Sequence, residues 1–281
     1  MKWYDYIKVF LKNRKATVGI SILMLFTVIA IFAPFVAPYS PTDMSFPPLK
    51  GISWKHPLGT TLSGQDIFSQ VIWGTRYSLF VGVVTGLITT IISVAIGFTA
   101  GYFSGIIAEI LTMLINIFLV IPGLPLIIVI SAYIPVKNIW TIILTISLTG
   151  WAWGARVLRS QVLTLKNRDF VKASLIVGES SFHIIFKDIF PNMLGLVAAS
   201  FFGNAIYAVL AEAGLEFLGL GDTSIISWGT ILYWAQNNQA ILLGSWQWFT
   251  IPGLFIALLG MAFALLNFAV DEIANPRLRG R

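Results

Sequence analysis

The two histidines of the chain, His56 and His183, stand far apart, and neither has the paired spacing with other ligands that a metal site needs. Cysteine is absent, which removes thiolate metal sites, disulfides and thiol nucleophiles. No Gly-Lys dipeptide occurs, so the chain has no loop of the kind that cradles a β/γ-phosphate. The ionisable and amide groups left in apolar surroundings are Glu109, Asn116, Glu212, Glu216 and Asn267. Such groups are costly inside a membrane and point to function by default. Glu109 and Glu216 sit near the ends of apolar runs and are expected to reach the headgroups. Asn116 and Glu212 are the candidates for lining a translocation path, with a structural hydrogen bond as the other reading of Glu212. The catalytic set is therefore empty, and the chemistry that remains is recognition.

The recognition surface is residues 156–191, a polar, basic, helix-forming stretch between long apolar runs. Residues 168–176 contain no Gly or Pro and predict a helix, which Gly178 breaks. Ser180 and Ser181 offer capping oxygens for a second helix. In it Phe182, Ile185, Phe186 and Ile189 fall at i, i+3, i+4 and i+7 and predict one apolar face, with Lys187 and Asp188 off it. Pro191 is expected to stop this run and open the next apolar segment. An amphipathic helix lying in the interface would also fit, but anchoring alone needs no turn centred on a glycine.

The elements that would position this surface follow from composition. Of 281 residues, 57% are hydrophobic and only 11% charged, and the mean hydropathy is +0.85. Soluble domains carry about 25% charged residues, so lipid must be the solvent. Apolar runs near the roughly 20 residues that cross a bilayer predict six spans: residues 18–37, 78–102, 110–136, 138–158, from 193 to about 211, and 246–270. Pro122 and Pro125 are expected to kink the third. The first is read as a retained helix, being longer than a signal-peptide core and lacking a small-x-small site.

Lys and Arg set orientation. With the N-terminus inside, most of the 18 basic residues fall inside, in the N-terminal segment, residues 156–187 and the C-terminal tail. Lys50, Lys55, Arg76 and Lys137 fall outside. The organisation expected is a cytoplasmic segment 1–17, a first helix 18–37, an external loop 38–76, a five-helix core 77–270 and a cytoplasmic tail 271–281. The core contains the cytoplasmic loop 166–191 and an external loop 219–245. Trp228, Trp234, Trp246 and Trp248 are expected to anchor that external loop at the interface. The net charge of +6 is dispersed in short segments beside the spans, which argues against a nucleic-acid partner. Glycines at Gly82/Gly86, Gly97/Gly101 and Gly101/Gly105 have the spacing of close helix packing, with a sister subunit as a candidate partner.

The polar segment resembles the EAA loop of ABC-transporter permeases, whose pattern is Glu-Ala-Ala, three residues, Gly, nine residues, Ile, one residue, Leu-Pro. Lys172-Ala173-Ser174 stands for Glu-Ala-Ala, followed at the right spacing by Gly178, Asp188 and Phe190-Pro191. Lys, Ser, Asp and Phe depart from the general pattern. The rest of the chain is similar to dipeptide/oligopeptide/nickel permease C-type subunits. The matching stretches are Asn13-Arg14-Lys15-Ala16, Phe32-Ala33-Pro34, His56-Pro57-Leu58-Gly59-Thr60, Gly64-Gln65-Asp66, Gly74-Thr75-Arg76, Glu212-Ala213, Phe217-Leu218-Gly219-Leu220-Gly221, Ser227-Trp228-Gly229 and Asn275-Pro276-Arg277.

The resemblance implies an all-α polytopic membrane protein with six transmembrane helices, of the type I ABC importer permease fold, with a cytoplasmic coupling helix. It implies a coupling site of Lys172, Ala173, Ser174, Gly178, Glu179, Ser180, Ser181, Phe182, Ile185, Phe186, Phe190 and Pro191. It also implies partners: a sister permease subunit, two cytoplasmic ABC ATPase subunits that use ATP and Mg, and an extracytoplasmic substrate-binding protein. The permease itself is expected to bind no cofactor. The cargo implied is a dipeptide or oligopeptide, with oligosaccharides and nickel complexes as alternatives within the class. A secondary transporter would be expected to show an inverted repeat, and none is visible. A membrane enzyme would need a clustered acid, base or metal set.

Overall fold

The computed structural model describes residues 13–274, and the expectations for residues 1–12 and for the tail 275–281 lie outside them. The described residues are helical, with an isolated Thr60–Asp66 bridge as their sheet-like pairing. The elements are α1 (Arg14–Val36), α2 (Ile67–Tyr102), α3 (Ile106–Val120), α4 (Gly123–Tyr133), α5 (Ile139–Gly150), α6 (Ala152–Lys166), α7 (Asp169–Val177) and α8 (Ser181–His183). A π-helical turn (Ile184–Ile189), α9 (Phe190–Phe217), α10 (Trp228–Asn237) and α11 (Trp246–Ala274) complete the order. Four helical stretches are long and apolar enough to cross a membrane alone. The pairs α3+α4 and α5+α6 qualify when each is taken together, which gives up to 6 spans.

Three expectations about the spans are corrected. The third is not one kinked helix: α3 and α4 meet at 91°. Ile121 and Pro122 are extended, since a residue before proline is pushed out of the α region and Pro122 has no N–H to continue the ladder. The fourth is bent by 43° at Trp151. The second begins at Ile67 rather than near residue 78, because Asp66 caps it, accepting from Ser69 N–H and Oγ at 2.8 and 2.7 Å. Its polar first turns are satisfied within the fold; Thr75, for example, donates to the Val71 carbonyl. Asp66 is itself held by His56 Nδ1 at 2.9 Å, beneath the rings of Tyr39 and Phe46.

The core forms around α2 and α9. One cluster joins Phe26 of α1, Val71 of α2, Val209 of α9, Trp228 of α10 and Phe263 of α11. A second joins Val81 to Ile127, Ile143, Ile146 and Leu215. The backbones approach closely where side chains are small: a β-carbon on Gly86 would meet Ala205 at 3.0 Å. Gly82 likewise faces Val209, while Gly97 and Gly101 face α6. The glycine faces of α2 thus pack within the subunit rather than against a sister subunit, and Gly105 lies beyond the end of α2. Polar bonds fasten the same contacts, from Asn204 to Thr90 Oγ1, Ser93 Oγ to the Trp151 carbonyl, and Asn267 to the Ala199 carbonyl. Such interhelical bonds are worth about 0.6 kcal/mol on average in membrane proteins.

The tryptophan expectation also divides. Trp228 and Trp248 are buried, and the Trp228 indole donates to the Val71 carbonyl at 3.1 Å. Trp234 and Trp246 are exposed.

Candidate functional site

Helix α6 delivers the chain to the polar segment. Its last residue, Lys166, donates from Nζ to the Tyr102 carbonyl at 2.5 Å and to Ser104 Oγ at 3.3 Å. The ammonium caps the C-terminus of α2, where unpaired carbonyls carry partial negative charge. The end of α6 and the end of α2 therefore lie on one side of the bundle, and the polar segment is built there.

Helix α7 is pinned by Val171, which is fully buried beside Leu158 and Val162. Lys172 and Ala173 are exposed, and Lys172 makes no ion pair among the described residues. The helix ends at Gly178, whose φ of 87° and ψ of 19° are left-handed. Gly178 N–H bonds back to Leu175 and Glu179 N–H to Ser174, both at 3.1 Å. This is the Schellman closure that satisfies the last carbonyls of a helix. Glycine suits it because a β-carbon is strained at positive φ, whereas the space around it is open.

Ser180 then caps the next helix by accepting from His183 N–H at 3.2 Å, and Ser181 is its first helical residue rather than a cap. His183 Nδ1 and Glu179 Oε2 are 3.3 Å apart across the turn.

The apolar residues that follow divide otherwise than the 3.6-residue period predicts. Ile184 and Ile189 are fully buried with Phe98, Tyr102, Leu158 and Met193. Ile185 is half-buried at the edge of that cluster, while Phe182 (71%) and Phe186 (51%) are exposed. The cause is the π-helical turn, whose i→i+5 ring brings residues five apart to one side. Pro191 does not stop the run. It lies in the first turn of α9, and the helix passes continuously from Ser181 to Phe217.

The result is a tip around Gly178 that presents Ile176 (86% exposed), Val177 (79%), Phe182 and Phe186. Its rings form a series running inward. Centroids are 4.4 Å apart for Phe182–Phe186, 6.3 Å for Phe186–Phe190 and 5.8 Å for Phe190–Phe98. Ile189 was on the predicted apolar face, whereas Ile184 was not, and the spacing of five between them was the available signal.

The two path candidates go to different places. Glu212 is fully buried, with Ser78 Oγ donating to Oε1 at 3.5 Å and Oε2 without a partner. Glu216, one turn on, is also fully buried rather than reaching the headgroups, and Ser227 Oγ donates to it. Both carboxyls tie α9 to α2 and to the start of α10. Asn116 lies on an open cleft of ≈ 720 Å³ with Glu109 and Arg159. A separate cleft of ≈ 560 Å³ is lined by Trp153, Ser200, Asn204, Tyr207, Asn267 and Asp271. Asn267 stood among the groups singled out in apolar surroundings, but not as a path residue, and the others were missed because they are scattered over three helices.

Known transport proteins resemble the chain over nearly its whole length. Residues 93–280 match the family described as binding-protein-dependent transport system inner membrane component. Residues 2–50 match the N-terminal TM domain of oligopeptide transport permease C. The chain is 35% identical over 276 residues to the dipeptide transport system permease protein DppC of Bacillus subtilis, covering 95% of this chain and 83% of that one. It is 33% identical over 283 residues to the oligopeptide transport system permease protein OppC of the same organism, covering 99% and 90%. It is 39% identical over 281 residues to the dipeptide permease DppC of Escherichia coli strain K12, covering 96% and 91%.

Proposed function

The chain belongs to the family of binding-protein-dependent transport system inner membrane components, and from that premise we propose that it forms one half of a peptide-importing pore driven through residues 172–191. It is a multi-pass permease subunit of an ABC importer, with the type I importer permease fold. The cargo we assign is a dipeptide or oligopeptide, the substrate class in the names of its relatives.

The partners proposed are a sister permease, two cytoplasmic ATPase subunits and an extracytoplasmic binding protein, all within a lipid bilayer and without nucleic acid. The sequence carries no Gly-x-x-x-x-Gly-Lys-Ser/Thr motif. ATP and Mg are therefore used by the ATPase subunits, and this chain binds no cofactor. The end of the bundle carrying Lys166 and Gly178 is assigned to the cytoplasm by the excess of Lys and Arg in residues 156–187. The opposite end, with residues 38–66 and α10, faces the binding protein.

One observation carries the coupling reading: an exposed apolar tip, formed by a glycine-closed turn, is fastened to the spans by fully buried Ile184 and Ile189. A membrane subunit gains nothing by holding Ile176, Val177, Phe182 and Phe186 in water unless a soluble partner covers them. The tip fits a groove of one ATPase subunit. When ATP closes the two ATPases, the groove moves, and the tip carries α9 with it. The pore then opens outward to receive substrate, and hydrolysis resets it, a rigid-body switch biased by ligand. Lys172, Ala173 and Ser174 form the base of the tip, and Glu179, Ser180 and Ser181 shape its second half. The path is assigned to the ≈ 560 Å³ cleft, with Glu212 supporting α9 from behind.

The test of the coupling site is Gly178→Asp in the assembled transporter. It should reach the membrane at the normal level yet lose stimulation of ATP hydrolysis by the binding protein, because it sets a carboxylate on the apolar tip beside Ile176, Val177 and Phe182. Normal stimulation would refute the assignment. Cargo is tested separately, by titrating the cognate binding protein with trialanine, maltotriose and a nickel–histidine complex. Binding of trialanine alone is expected, and binding of either other probe alone would overturn the peptide reading.

A further inference from the structure

Ile184–Ile189 is π-helical inside a helix that otherwise runs unbroken from Ser181 to Phe217. Phe190 N–H bonds to the carbonyl of Ile185, five residues back. The next residue, Pro191, has no N–H, and in α-register its ring would press on the carbonyl of Lys187. A π-turn widens the ring and admits one extra residue, and such turns concentrate at functional sites. One side of this turn is fixed, since Ile184 and Ile189 are fully buried against Phe98, Leu158 and Met193. The other side is not packed against the bundle in this way: Phe186 and Lys187 are exposed, and half-buried Asp188 leaves its Oδ2 without a hydrogen-bond partner.

We propose that the π-turn is the joint of the coupling element, with Ile184 and Ile189 as positioning residues on which the tip pivots while the wide, proline-softened side yields. The joint lets the tip follow its ATPase groove before α9 is carried along, so the helix bends instead of tearing from the Phe98 cluster. This inference rests on the docking reading above.

Removing one residue separates flexibility from geometry. Deleting exposed Lys187 and changing Pro191→Ala returns the i→i−5 ring to i→i−4 and restores the missing N–H. The flanking helices keep their relative orientation, because Ile184 and Ile189 become four apart and still share a face. The readouts, in the complex with its ATPases and binding protein, are stimulation of ATP hydrolysis by the binding protein and photocross-linking to an ATPase subunit from Ser181→Cys, an exposed and near-isosteric change beside the Phe182 anchor. The expected result is stimulation reduced about tenfold with the cross-link kept. Unchanged stimulation, or a lost cross-link, would overturn the joint. If the deletion variant fails to reach the membrane, Pro191→Ala alone decides. It should lower stimulation about threefold, and no change would overturn the inference. A Ser181→Cys protein of natural length that never cross-links refutes the docking reading itself, an outcome distinct from failure of the joint.

Discussion

The rings of Phe182 and Phe186 lie 4.4 Å apart, tilted by 37°, and both are exposed. Two exposed phenylalanines in contact form a ready-made anchor for a concave partner surface. Truncation of a buried aromatic anchor at a protein interface costs about 2 kcal/mol or more. Phe182→Ala and Phe186→Ala should each reach the membrane at the normal level and weaken ATPase association about thirtyfold. Co-purification of the ATPase subunits with the permease measures this.

Lys172 stands where the general pattern has Glu, but it is exposed and without an ion pair among the described residues. An exposed charge of this kind contributes about 0–1 kcal/mol. Lys172→Ala should therefore leave binding-protein-stimulated ATP hydrolysis within about fivefold of the parent. A larger loss in that assay would give Lys172 a direct contact.

At Gly178 backbone and surface can be separated. The surrounding space is open, so Gly178→Ala introduces no clash and costs only the left-handed conformation, about 1–2 kcal/mol. Gly178→Asn, which tolerates that conformation better, should retain more ATP hydrolysis stimulation than Gly178→Ala. The reverse order would mean that side-chain size, not backbone conformation, is limiting.

Glu216 and Ser227 join α9 to the N-cap of α10. Ser227 also accepts from Thr230 N–H at 3.1 Å, so Ser227→Ala removes a helix cap and leaves a buried carboxyl unpaired. The expected loss is about 2–3 kcal/mol, read as a lower thermal midpoint in detergent. Gly86→Val should be harsher, because the Ala205 backbone cannot move aside as a flexible side chain would. It is expected to prevent accumulation of the folded subunit.

How much of this was legible in the residues differs from element to element. The turn at Gly178 was readable because it depends on a local property, the freedom of glycine at positive φ. The apolar face after it was misjudged because i, i+3, i+4, i+7 presumes an α-helix, whereas Pro191 imposes a wider ring whose buried pair is Ile184 and Ile189. Residues 67–76 looked like loop because Ser69, Gln70 and Thr75 are polar. Each is buried with a bond, to Asp66, the Pro41 carbonyl and the Val71 carbonyl. Pro122 was readable as a disturbance but not as a 91° break, since the angle depends on what packs on either side. Glu216 resembled a headgroup contact until Ser227 folded back over it.

The central claim is that the tip around Gly178 is what the ATPase subunits grip. The chain has no cysteine, so single-cysteine variants report one position each. A photoactivatable cross-linker is attached to Ser181→Cys, an exposed position beside the Phe182 ring, or to Leu242→Cys, which is 82% exposed in the natural protein and assigned to the opposite end of the bundle. In the complex with its ATPases and binding protein, Ser181→Cys should cross-link to an ATPase subunit and Leu242→Cys should not. Cross-linking of the ATPase from Leu242→Cys but not from Ser181→Cys would contradict the account.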